Sequence, residues 1–154
     1  MGYYNKQEVD FIIRTKEIIR QYNEFIPEQE TRYNVTLFIN CMIGLLIIPQ
    51  QHWYHSLPET EINEQEWGLS PKMITHSSNG TTVKSVATHL RNSIAHYSFH
   101  ALPNNEDKLK VFNFQDKYPK TGKQTFNADI PYTALRKFVN NLTIEFLKEM
   151  DKQK

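Results

Sequence analysis

Cysteine is nearly missing from this chain. Cys41 stands alone among 154 residues, so no intrachain disulfide can form and a zinc site built from four cysteines is excluded. Its thiol lies in an apolar run and reads as an inert core residue. Strong net charge is missing too: 18 Lys and Arg face 17 Asp and Glu, a formal +1. No apolar run reaches the roughly 20 residues of a membrane span. The stretch from Val35 to Ile48 comes nearest, but Thr36, Asn40 and Gly44 interrupt it. The start, Met1 to Glu8, is polar and mixed in sign, unlike a signal peptide; after Gly2, Lys6 stands where a myristoylation motif needs Ser or Thr. A cytoplasmic protein with no membrane association is expected. Internal repeats and low-complexity segments are also lacking.

What is present suits a globular protein, with 39% hydrophobic and 12% aromatic residues. One domain spanning 1–154 is expected. The near-zero net charge hides an asymmetry. Five basic residues oppose ten acidic ones from Met1 to Gly68, whereas eight oppose three from Ser70 to Phe126, which also holds four of the six histidines. A local basic segment is what a phosphate-facing surface requires, although scattered solvated lysines would give the same count.

Hydrophobic spacing predicts a mainly α fold. A first amphipathic helix runs from about Lys6 to Phe25, with Val9, Ile12, Ile13 and Ile19 on its apolar side and Pro27 limiting its extent. A second begins near Glu30 to Tyr33 and ends before Pro49; being apolar almost all round, it should be the most buried. Gly44 within it implies close approach of another helix or a second subunit, and a buried Asn40 would need a hydrogen-bond partner. From Gln50 to Asn79 no period stands out, and loop or short irregular helix is expected. His52 and His55 lack a cysteine or a well-placed third ligand, so no metal is expected there.

A third helix should start at a Thr81 or Thr82 cap, with Val83, Val86, Ala87, Leu90, Ile94 and Tyr97 as its apolar stripe. Short alternating stretches at Tyr97 to Leu102, Leu109 to Gln115 and Lys123 to Ala128 predict a small β-hairpin turning at Tyr118 to Gly122. Pro131 opens a last helix from about Tyr132 to Met150.

The run from His89 to His100 carries the chemistry. It holds three of the six histidines and an Arg-Asn-x3-His pattern made of Arg91, Asn92 and His96, near the end of a helix in the basic segment. A guanidinium binds phosphate and an imidazole moves protons near neutral pH. His89, Asn92 and His96 share one helix face, while Arg91 lies about 140° round from His96 at about 100° per residue. The competing reading makes His96 a cation capping a helix C-terminus and Arg91 a surface ion-pair partner.

Leu90, Arg91, Asn92 and His96, in the form apolar-Arg-Asn-x3-His, resemble the HEPN superfamily, and the apolar run from Tyr33 to Pro49 looks like the core helix preceding that motif in single-domain bacterial members. The resemblance implies an HEPN-like bundle of four to five helices with a small β-hairpin between the last two core helices. It further implies a homodimer whose two motifs face one cleft, and cleavage of RNA without metal or other cofactor. The ribose 2′-OH then attacks the adjacent phosphate, leaving a 2′,3′-cyclic phosphate and a 5′-hydroxyl. His96 would transfer the proton, Arg91 would neutralise the phosphate, and Asn92 would hold the imidazole or a phosphate oxygen. His89, His100, Lys84 and Tyr97 form a weaker set of RNA contacts; His89 and His100 read more readily as structural residues, and Tyr97 as part of the core or dimer seam. The partners implied are RNA, a second copy and an inhibitor or antitoxin protein, in a toxin or phage-defence setting. Toxins paired with minimal nucleotidyltransferases carry R-x4-H-x-Y. Here Ser98 stands two after His96, and the tyrosine is the adjacent Tyr97. The alternative is a non-catalytic HEPN-like module that binds RNA or nucleotide, or only dimerises.

Overall fold

A computed structural model describes residues 6–26, 33–49, 51–102 and 111–152. In chain order come α1 (Gln7–Phe25), α2 (Asn34–Ile47), a short α3 (Gln51–Tyr54), a 3₁₀ turn (Pro71–Met73) and β1 (Ile74–Ser77). Then follow α4 (Val83–Ala95), β2 (Phe99–Leu102), β3 (Val111–Lys117), β4 (Gln124–Pro131) and α5 (Tyr132–Lys152). Gly2, Pro27, the expected start of the second helix at 30–32, and the first residues of the strand expected from Leu109 lie outside the described residues. Among those described, no helix is long and apolar enough to cross a membrane.

α4 and α5 follow their spacing, whereas α1 buries Ile12 but leaves Ile13, placed by spacing on its apolar side, exposed to solvent. Thr82 caps α4, its Oγ1 accepting from Ser85 N at 3.2 Å. Val83, Val86, Ala87, Leu90 and Ile94 of α4, with Leu135, Phe138, Val139, Leu142 and Phe146 of α5, are buried in one core. α2 departs from expectation. It buries Phe38, Met42, Leu45 and Leu46 but leaves Thr36, Asn40 and Ile43 exposed on one side. Asn40 therefore meets solvent rather than a core partner, because an apolar helix with little contrast between its faces does not disclose which side it buries. Gly44 marks a close helix approach: a Cβ there would lie 2.6 Å from Cζ of Phe11 on α1.

The β part is larger than the small hairpin the alternation predicts. Four strands form an antiparallel sheet in the order β1-β4-β3-β2, and β1 comes before α4 in the chain. The β3–β4 hairpin is as expected, with Phe112, Phe114, Phe126, Ala128 and Ile130 all turned into the core. On the other side Asn113 Nδ2 donates to Asn127 Oδ1 at 2.9 Å and Asp129 Oδ1 at 2.7 Å, and Asn127 Nδ2 donates to Thr75 Oγ1 at 2.8 Å. The last of these ties β1 to the hairpin. The aperiodic stretch after α3 is anchored by buried Leu57, Ile62, Trp67 and Leu69.

Candidate functional site

α4 ends in a Schellman turn. Ser98 N donates to Ser93 O at 2.7 Å and Tyr97 N to Ile94 O at 3.1 Å. The residue after the C-cap normally takes a left-handed conformation, which favours glycine. Here it is Tyr97, at φ 53. Ending the helix at Ala95 with this reversal swings the Tyr97 ring outward: it is 85% exposed, its edge meeting Phe99 at 5.8 Å. Tyr97 thus lies outside the core in which the helical spacing would put it. His96, the C-cap, is exposed beside it.

His89, Asn92 and His96 share a stripe of α4, as their spacing predicts, and all three border one hollow of about 350 Å³ between α4 and the β3–β4 hairpin. Beneath it lies a residue the sequence did not single out. Asp116 is buried on β3, where its Oδ2 accepts from Asn92 Nδ2 at 3.0 Å and bonds His89 Nδ1 at 2.8 Å. Its Oδ1 accepts from Lys117 N at 2.9 Å. Three bonds therefore compensate a carboxylate removed from water. The His89 ring stacks on Phe126 at 4.8 Å, and its Nε2 is enclosed with no hydrogen-bond partner among the described residues. A signal for Asp116 existed: it falls at the inward position after Phe112 and Phe114, where strand alternation calls for an apolar side chain.

Arg91 does not join this hollow. Its Cζ lies 5.7 Å from the Tyr54 ring centroid, and its Nε is buried without a hydrogen-bond partner. Nor does it pair with a carboxylate among the described residues. Burial pushes the Tyr54 phenol well above its usual range, the neighbouring Arg91 charge opposing this in part. Within one copy of the chain, then, the guanidinium and the imidazole face different ways, as the 140° offset requires at about 100° per residue.

The remaining candidates scatter. Lys84 Nζ is 2.8 Å from Glu59 Oε1, whose carboxyl this lysine holds below the usual range. His100 is exposed on the edge strand β2, paired in register with Asn113. Lys117 at the end of β3, with Tyr118 and Pro119 of the turn, borders the His96 hollow instead. A larger hollow of about 770 Å³ between α1, α2 and α5 contains none of the Arg-Asn-x3-His residues. Among the described residues no three His, Cys, Asp or Glu side chains are grouped as metal ligands.

Compared with known families, residues 1–154 match the family model described as HEPN pEK499 p136. No curated protein and no solved structure matches the chain.

Proposed function

The chain belongs to the HEPN pEK499 p136 family, and on that premise we propose that it is a metal-independent endoribonuclease that acts as a homodimer, in a toxin or defence role. The observation that carries this reading is the exposed His96 at the rim of a hollow whose floor, Asn92, is held by a buried carboxylate. RNA brings its own nucleophile. An imidazole takes the 2′-OH proton as the O2′–P bond forms, and a protonated imidazole returns a proton to O5′ as the P–O5′ bond breaks. In-line attack puts O2′ and O5′ on opposite sides of phosphorus, so a second imidazole serves O5′, and a second copy of the chain supplies it. Arg91 faces away from its own His96, so the guanidinium that neutralises the phosphorane also comes through assembly with the second copy. Tyr97, 85% exposed beside His96, supports such an assembly, since a large aromatic side chain left in water favours burial against a partner.

One observation favours a second reading, a non-catalytic RNA- or nucleotide-binding or dimerisation module: Arg91 is packed on Tyr54 rather than presented to the hollow. Incubating RNA with wild type, His96→Ala and Arg91→Ala in EDTA separates the two. The expected result is cleavage by wild type and a loss of about 10²-fold or more in each variant. Equal activity in all three, or none in the wild type, refutes catalysis at this motif.

A further inference from the structure

We infer that the β3–β4 turn forms the RNA-binding wall of the His96 hollow, with one unstacked base of single-stranded RNA lying on the Tyr118 ring and an adjacent phosphate at Lys117 Nζ. The inference rests on the reading that RNA is what this hollow takes. Binding is measured apart from cleavage, so either can fail alone.

Two adjoining hollows, about 350 Å³ and 210 Å³, share His96, Asp116, Lys117, Tyr118 and Pro119 as their lining. The larger is of the size that encloses a small organic ligand such as one nucleoside, and too small for a duplex. Sequence-tolerant recognition of single strands combines an aromatic platform with a basic groove, and the turn offers both. Tyr118 is 50% exposed. Its backbone is fixed by Tyr118 N donating to Lys123 O and Gly122 N donating to Tyr118 O, both at 2.8 Å. Gly122, at φ 67, supplies the left-handed residue that closes the turn. With the backbone already held, a stacking base has only the side chain of Tyr118 to order.

The charges around it are free to act. Lys117, which ends β3, and Lys120 and Lys123 after it are all exposed, and Lys117 makes no ion pair among the described residues. By contrast Lys84 is paired with Glu59 and His89 is buried against Asp116, so two of the RNA contacts suggested by sequence are already committed within the chain. Asp116 borders the hollow too, but its carboxylate accepts from His89, Asn92 and Lys117 N, which tempers its repulsion of a phosphate.

The test is fluorescence anisotropy of a labelled single-stranded oligoribonucleotide in EDTA across a salt series. The full chain carries His96→Ala to prevent cleavage, alone and with Tyr118→Ala, Tyr118→Phe, Lys117→Ala or Lys84→Ala. Tyr118→Ala should weaken binding roughly tenfold with an unchanged salt slope, and Tyr118→Phe should bind like the parent. Lys117→Ala should reduce the slope of log affinity against log salt by about 0.7, the loss of one phosphate contact. Lys84→Ala should do neither. Identical affinity and slope across the series, equal binding of duplex and single strand, or no binding by the parent would overturn the inference. Binding as described by a wild type that leaves RNA intact keeps the subsite and removes only the cleavage reading.

Discussion

Replacing Tyr97 by glycine should leave the fold as stable as before or slightly more so, although the change deletes a large aromatic side chain. A left-handed conformation costs a non-glycine residue about 1–2 kcal/mol, and Tyr97 adopts it at φ 53. Glycine removes that cost but gives the unfolded chain more freedom, which takes back about 0.4–1 kcal/mol. Losing the edge contact to Phe99 at 5.8 Å costs at most about 0.5–1.5 kcal/mol, and less for a ring that solvent reaches on most sides. The sum lies within about 1 kcal/mol of zero, or about 2–4 °C in Tm for a chain of this size. Were Tyr97 packed in the core, as its place on the helical stripe predicts, truncation would cost about 3–5 kcal/mol. Urea denaturation decides between these. It should be run at several protein concentrations, because the proposed dimerisation would add a concentration-dependent stability. At dilutions where the chain is monomeric a loss greater than about 2 kcal/mol would refute the outward placement of this ring. At higher concentration the variant should lose part of whatever stability assembly confers.

The other expectations are simpler. Asp116→Ala should destabilise the fold by several kcal/mol in the same assay, because the buried donors of His89 and Asn92 lose their acceptor at about 1–3 kcal/mol each; a change below about 0.5 kcal/mol would mean that the network is not formed. Gly44→Ala should destabilise despite alanine's better helix propensity, since its Cβ would meet the Phe11 ring at 2.6 Å, and Phe11→Leu should recover part of the loss in a double-mutant cycle. His96→Ala should leave unfolding unchanged within about 0.5 kcal/mol, as expected for an exposed side chain.

Most of the helical scaffold could be read from residue spacing, because 3.6-residue periodicity and a threonine cap are local signals. The signals that failed were those that needed tertiary partners. β1 is four residues of mixed polarity, Ile74 to Ser77, whose mate in β4 begins at Gln124, so nothing near it in sequence announces a strand. The apolar run around Asn40 points it to the interior because its helix is apolar on nearly every side, a pattern that says how apolar a helix is and not which way it faces. Periodicity carried one residue too far put Tyr97 inside; the Schellman turn begins where the period stops. The motif residues Arg91, Asn92 and His96 were legible, but their company was not. Asp116 reaches His89 and Asn92 only because β3 packs across α4, and Arg91 finds Tyr54 in a segment with no period at all.

The chemistry of the cut ends tests the central claim most directly. Wild-type protein incubated with single-stranded RNA in EDTA should yield fragments ending in 2′,3′-cyclic phosphate, with 5′-hydroxyls on the downstream pieces, and His96→Ala should yield none. Fragments with 3′-hydroxyl and 5′-phosphate ends, or RNA that stays whole with every substrate offered, would contradict attack by the ribose oxygen at this site.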